Sequence, residues 1–296
     1  MSERAEISRE KWEQAVEVAP GFWIIATHHR PGYSKHQPEI NNRCLVFRLR
    51  DASAGDAEVL VVVNGADPVA IPEVRRLEKE TGLKVAYLLS PGGGHTVMLP
   101  AWHDEFTSAK ALAGPTRFPR VRGGQKLAGS PRFALLDGDD ALPQFHGQLE
   151  AVNFDGLLGF RENQTPKEGG KDSVLGMIKF MLTEMPPRDP VDELWLFHVA
   201  SGTVIGGENL GWILSRAEHA KMPFMLRMMF KPEQVFIMSG PRRVADKARV
   251  AAHWKKILAW PARTVMTYHD SLGLAFQADA AAALAQAVAA SKQAGG

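Results

Sequence analysis

Cysteine is nearly absent from this sequence. One residue in 296, Cys44, excludes an internal disulfide and any zinc site built on several thiolates. Cys44 sits in an apolar run, Cys44-Leu-Val-Phe, which marks a buried, inert thiol rather than a nucleophile. Cysteine usage of this kind points to the cytosol. Net charge is also small. Thirty-five Lys and Arg against 33 Asp and Glu leave a formal +2. With no dense basic run interleaved with aromatics, no nucleic-acid partner is expected. No run of roughly 18 apolar residues is present to span a bilayer, so no membrane partner is expected either. The start, MSERAEISREKWEQ, is charged and is not expected to be a secretory signal. Several catalytic signatures are missing too: the His-Glu-x-x-His zinc helix, the phosphate-binding Gly-x-x-x-x-Gly-Lys-Ser/Thr and the Gly-x-Ser-x-Gly elbow. What remains is 45% apolar and 23% charged, ordinary for a globular protein with a sizeable core. Without a clean linker, residues 1–296 read as one domain with an N-terminal helical extension.

The stretch 84–100, KVAYLLSPGGGHTVMLP, organises the rest. An apolar run that reads as a buried strand stops at Ser90-Pro91; three glycines, His95 and a second apolar segment follow. Glycines directly after a strand let the chain turn sharply or let backbone approach a ligand. In open α/β sheets, ligands bind beyond the strands' carboxyl ends. The plainer alternative is a glycine-rich turn that happens to carry a histidine. Gly92-Gly93-Gly94 also lacks the spacing of a dinucleotide fingerprint.

Around this stretch the pattern gives a helix over 7–18 with Ser8 as its cap, and strands over 21–27, 43–49 and 58–64. The loop 28–42 holds His28, His29 and His36. A helix over 70–82 with Leu77 inward and a glycine stop comes next, then the strand 85–90. A short helix near 102–106 and strands at 109–113, 133–136 and 149–154 follow. Residues 192–205 read as a hairpin, with a helix beginning near Leu210. An amphipathic helix over 242–260, a strand over 263–268 and an alanine-rich helix over 278–292 close the chain.

Polar groups collected at strand ends are what a preorganised site requires. His95 follows a strand, His269 and Asp270 follow another, Glu208 follows the hairpin, and His146 precedes a strand. Imidazole and carboxylate suit zinc, iron or manganese, and serve equally in acid–base work without metal. Each residue taken singly also reads as a solvated loop residue or a hydrogen-bonded core histidine. His198 shares a strand face with Leu194 and Leu196, which predicts a buried, hydrogen-bonded ring. His219 and His253, on helices, read as structural.

Together these segments, from about 21 to 274, resemble the metallo-β-lactamase superfamily, especially its divergent members. Residues 21–49 are similar to the family's opening strands and lid-like hairpin loop. Val61-Val-Val-Asn-Gly resembles its Asp-x-Gly turn, with Asn64 near the usual acid. Gly207-Glu208 resembles the Gly-Asp that bridges two metals, and Tyr268-His269-Asp270 the strand-end histidine that completes the site. The family's His-x-His-x-Asp-His motif is here Ser90-Pro-Gly-Gly-Gly-His95-Thr96, so only His95 carries over. The Pro-Gly-His that precedes the family's hairpin has no counterpart there, and His146 is the remaining candidate.

The resemblance implies an α/β fold, a four-layer αββα sandwich. It implies a degenerate centre from which a standard two-zinc site cannot be assembled, since glycine has no ligating side chain. One zinc, iron or manganese ion held by His95, Glu208, His269 and His146 is the expected cofactor. His103 or Asp104 would carry the proton. The implied activity is metal-dependent hydrolysis of a small ester, thioester or lactone, with that small molecule as partner. The alternative is a non-catalytic binding or scaffold protein that keeps the fold after losing the centre.

Overall fold

The computed structural model describes residues 11–29, 40–63, 68–92, 98–115, 127–136, 140–159, 189–207, 209–211, 213–222, 224–229, 231–237, 243–270, 279–291 and 293. Strands β1 (Ala15–Ala19), β2 (Phe22–His29), β3 (Ile40–Asp51) and β4 (Ala57–Val63) pair antiparallel in that order. Parallel strands β5 (Val85–Leu89), β6 (Lys110–Ala113) and β7 (Phe133–Leu135) extend the sheet beyond β4. Parallel neighbours need a crossover. Helix α1 (Ile71–Thr81) supplies one between β4 and β5, and α2 (Leu99–Glu105) another between β5 and β6. Pro72 suits the first turn of α1, and Gly82, at φ 71°, stops it in the left-handed conformation that glycine adopts freely.

The second sheet is built from β8 (Leu149–Gly159), β9 (Asp189–His198), β10 (Thr203–Gly206), β11 (Arg243–Val244) and β12 (Thr264–Thr267), in the order β11-β8-β9-β10-β12. Here β10 and β12 are parallel. Between them in sequence run α3 (Arg216–Lys221), α4 (Phe224–Met229) and α5 (Lys247–Leu258); β13 (His269–Asp270) and α6 (Ala280–Ala289) follow.

Alternation along the strands sorts the side chains into layers. Leu45, Phe47 and Leu49 of β3 join Leu194 and Leu196 of β9 between the sheets, with Phe22, Val61, Leu149, Ile205 and Met266. The intervening Cys44 and Val46 face outward onto Val74, Leu77, Leu99 and Trp102 of α1 and α2. On the far side, Trp195 and Phe197 pack against Trp254 and Ile257 of α5 and Leu284 of α6. The result is helix, sheet, sheet, helix: the four-layer αββα sandwich.

Four expectations about elements change. The reading of helix over 7–18 gives way, where described, to strand β1, because Val16 and Val18 alternate and the Pro20-Gly21 turn, with Gly21 at φ 71°, folds the segment back onto Phe22–His29. Ser8 lies outside the described residues. The helix expected near Leu210 begins only at Arg216, where Ser215 accepts the amide of Glu218, because Leu210 itself bridges to Ile237. The helix expected from 242 begins at Lys247, capped by Asp246, after Arg243–Val244 has paired with β8. His28 and His29 belong to β2 rather than to the loop, and His36 lies outside the described residues.

His198 is buried as expected. Its ring centroid lies 5.2 Å from Phe22 and 5.3 Å from Phe47, and Nδ1 is 2.8 Å from Ser201 Oγ. Burial pulls its pKa from 6.5 to about 4. An unfolded chain therefore takes up this proton near 6.5, while the folded chain refuses it until about 4. Stability should fall as pH drops across that window and level off below it, by on the order of 3 kcal/mol. Urea unfolding at stepped pH should show this slope in the wild type and a shallower one in His198→Gln. In the same core, Leu196→Ala should lower the unfolding free energy by about 2–5 kcal/mol.

Candidate functional site

The carboxyl ends of strands from both sheets meet at one corner, and Glu193 of β9 stands in it. β10 runs antiparallel to β9 with Ile205 opposite Leu196, so its end comes back toward Glu193. β12 is parallel to β10 with Thr267 opposite Gly206. From the other sheet, the chain leaving β5 reaches the same residue: Gly92 forms a bridge with Glu193, and the Leu194 amide donates to Pro91 O at 2.8 Å. Next to these ends, β3 loses β4 after the Leu45–Val63 pair, and β13 takes over its edge, with His269 opposite Asn42.

Local chemistry fixes the corner. Glu193 is buried, and its Oε2 accepts the Asn209 amide at 2.5 Å. A β-carbon on Gly207 would lie 2.7 Å from Glu193 Cβ and 2.8 Å from Oε2, so only glycine lets this turn close on the carboxylate. Asp192, on the alternate face, likewise fills the place that a side chain on Gly114, just past β6, would need. Arg43 is wholly buried; its guanidinium donates to Thr267 O and its backbone amide to Tyr268 O, both at 3.0 Å. Burial first, and the Glu193 charge second, push the Tyr268 phenol above its ordinary range, so it stays protonated. Thr267 Oγ1 donates to His269 O at 2.8 Å and lies 3.2 Å from the His269 amide, clamping the step between the sheets.

Solved structures share this architecture at low identity. The DIM-1 metallo-β-lactamase exposed to ceftazidime superposes with a TM-score of 0.51 at 11% identity, over 97% of this chain and 99% of that one. A metallo-β-lactamase from Erythrobacter litoralis gives 0.50 at 14% identity, over 96% and 95%. One from Pontibacter korlensis gives 0.50 at 9%, over 94% and 99%. The chain has the metallo-β-lactamase fold. It spans 56% of the length of the metal-soaked flavodiiron core from Synechocystis that it also resembles. No family model matches the sequence, and no curated protein does.

Within the metallo-β-lactamase fold the expected site residues divide. His269 is buried on β13, two residues past Thr267, which pairs with Gly206 next to the Gly207 that meets Glu193. His95 and Glu208 lie outside the described residues, but Gly92, Gly207 and Asn209, which flank them, all meet Glu193. Asn64 also lies outside them. His146 is elsewhere. It precedes β8, whose first residue pairs with His198 at the opposite end of β9. At about 3.3 Å per residue that end is roughly 17 Å from Glu193 along the strand. There His146 is exposed, with Nδ1 3.1 Å from Glu150 Oε2, so it does not share a centre with His269.

His103 and Asp104 are also away from the corner, at the amino end of β6. Arg132, just before β7, donates to Phe106 O and Ala109 O there, and its guanidinium approaches His103 Nδ1 at 3.2 Å. Guanidinium only donates, so Nδ1 must accept and the proton of the neutral ring sits on Nε2. That proton points at Ser130 Oγ, 3.0 Å away. A serine that receives a proton from histidine is not activated by it, so the pair is a structural tie rather than a nucleophile and base. Burial and then Arg132 lower the His103 pKa, against a weaker pull from Asp104, and keep the ring neutral. Asp104 itself points into solvent, 3.8 Å from Nδ1.

The residues that sequence reasoning missed are Arg43, Asp192, Glu193, Asn209 and the distant Gln293. Arg43, Asp192 and Glu193 had a signal, charge at the mouth of an apolar strand. Gly207→Ala should cost about 1–3 kcal/mol by overpacking Glu193. Gly55→Ala, at φ 68° with nothing within 4 Å, should cost only about 1–2 kcal/mol of backbone strain. Thermal melts of the two variants compare them, and only Gly207→Ala should disturb ligand or metal uptake.

Proposed function

We propose that this protein is a metal-dependent hydrolase of a small ester, thioester or lactone, with its centre at the Glu193 corner. The observation that carries the reading is the convergence on Glu193 of the segment leading to His95, whose Gly92 bridges its backbone, and of the residues on either side of Glu208, which meet its carboxylate, near the strand that bears His269. Among the described residues no three His, Cys, Asp or Glu side chains gather to hold an ion. On this reading an ion at the corner would be held by His95, Glu208 and His269. Two imidazoles and a carboxylate fit zinc, iron or manganese in kind, and three protein ligands leave a position open. Such an ion supplies Lewis-acid polarisation of the scissile carbonyl and a water acidic enough to attack near neutral pH.

The chain's own groups do the rest. Glu193 holds the 207–209 turn through the Asn209 amide, and Arg43 fixes the backbone at Thr267 and Tyr268 that leads into His269. With His103, Asp104 and His146 remote, proton transfer falls to groups at the corner itself. A cytosolic setting belongs to the same reading, since the single buried cysteine makes the fold independent of an oxidising compartment.

One observation favours a second reading, a binding protein that keeps the fold without an ion. Among the described residues the corner has a buried guanidinium, Arg43, and no set of three His, Cys, Asp or Glu side chains. Elemental analysis separates the two. Protein purified without added metal, or given micromolar zinc, iron or manganese, should hold about one ion per chain. His269→Ala should lose it, together with hydrolysis of aryl ester and thioester probes. A folded wild type that takes up none of the three metals would overturn the hydrolase reading and leave the binding protein.

A further inference from the structure

Asn209 is wholly buried, yet its side chain takes no part in the sheet. Its amide faces that of Gln293, 84 residues further on: Asn209 Nδ2 donates to Gln293 Oε1 and Gln293 Nε2 donates to Asn209 Oδ1, each at 2.8 Å. Gln293 is itself only 1% exposed. Ser291, just past α6, holds it in place, its hydroxyl accepting the backbone N–H of Gln293 at 3.2 Å and donating to Val288 O at 2.6 Å. On its other side Asn209 gives its backbone N–H to Glu193 Oε2. The short turn after β10 is thus gripped twice, by a carboxylate from β9 and by an amide from beyond the last helix.

Docking α6 does not explain this arrangement. Ala280, Leu284, Ala287 and Val288 already seat that helix on Trp195, Val265 and Trp254 in the outer core. Two primary amides taken out of water cost free energy that an apolar pair of similar volume would not. What a reciprocal amide pair adds over apolar contact is direction, because both hydrogen bonds are made at one separation and one rotation only. The direction is imposed on the residue that follows Glu208, inside a turn that Gly207 closes on Glu193.

We propose that Gln293 is a positioning residue for the candidate centre. Through Asn209 it holds the backbone on both sides of Glu208 against Glu193, and uptake of a divalent ion at that corner depends on this hold. The ion-binding part rests on the hydrolase reading above; the hold on the turn does not.

The test uses the full chain in four forms: wild type, Gln293→Met, Leu284→Ala, and the exchange Asn209→Gln with Gln293→Asn. Met keeps the volume of Gln but leaves the Asn209 amide without its partner. Leu284→Ala loosens the same helix without touching the amides. The exchange keeps both amides and their summed length. Hydrogen exchange is read at the amides of Asn209, Leu210 and Gly211, whose acceptors are Glu193, Gly207 and Phe236. Zinc and manganese affinities are measured against a chelator on the same samples.

Gln293→Met should speed exchange at these amides by about tenfold or more relative to the central strands, and weaken ion affinity by a similar factor. The exchange variant should recover most of both. Leu284→Ala should speed exchange around α6 and lower the melting temperature without the local effect. If Gln293→Met leaves the 209–211 amides as protected as in wild type, or loosens them no more than Leu284→Ala does, the positioning role is overturned. If they loosen selectively while ion affinity is unchanged, the dependence of ion uptake on the hold is overturned. Wild type that takes up no ion removes the hydrolase reading, and local exchange alone then decides the role of Gln293.

Discussion

Where the parallel strands finish, the two sheets are fastened to each other by backbone. The Leu194 amide donates to Pro91 O, and Gly92 bridges to Glu193. Elsewhere the sheets meet mainly through apolar side chains, whose attraction has no direction, apart from the Gln148 side chain, which pairs with the Arg50 backbone at the opposite end. A main-chain contact has both direction and register, so it decides which residue of β9 faces the end of β5. That residue is Glu193. Once a carboxylate is buried there, donors must be brought to it, and the chain answers with a turn that only glycine can close and an amide from Asn209. The corner's geometry follows from that one registration.

Charge at the corner is arranged in the same manner. Arg43 stands at the entrance of an apolar strand and is buried whole, as are Asp192 and Glu193 at the entrance of another. Ionised groups in such places are tolerated only when paired and hydrogen-bonded. Asp192 and Glu193 divide between the two faces of β9, one filling the place beside Gly114 and the other the place beside Gly207. His103, by contrast, is held neutral between a guanidinium and a serine at the opposite edge, and its chemistry is used up in fastening α2 to the start of β6 and β7.

Much of the architecture was legible in the sequence because alternation is a local signal. Leu45, Phe47, Leu194 and Leu196 announce their face by spacing alone, and Gly82 announces the end of α1. His198 could be read as buried because both faces of its strand are apolar. The misreadings arose where a contact distant in sequence decides the matter. AVEVA becomes a strand only because β2 offers an edge to pair with, and Leu210 stays out of a helix because Ile237 bridges to it. The same holds for the site. His269 was marked by its place after a strand, but spacing could not tell that His146 and His103 sit at other edges. Nor could it tell that Gln293 lies against Asn209, because sequence separation carries no information about which strand ends converge.

Thr267 belongs to one sheet and His269 to the other, with Tyr268 alone between them. So short a stitch sets a limit on how the sandwich can breathe. The sheets cannot part like the covers of a book at this corner without tearing the pairing of β12 or β13. At the far end, beside the β9–β10 turn, the tie is a side chain instead, the Gln148 amide paired with the Arg50 backbone. The Glu193 corner is therefore the pinned end of the sandwich, and the hinge of any larger motion lies beneath it.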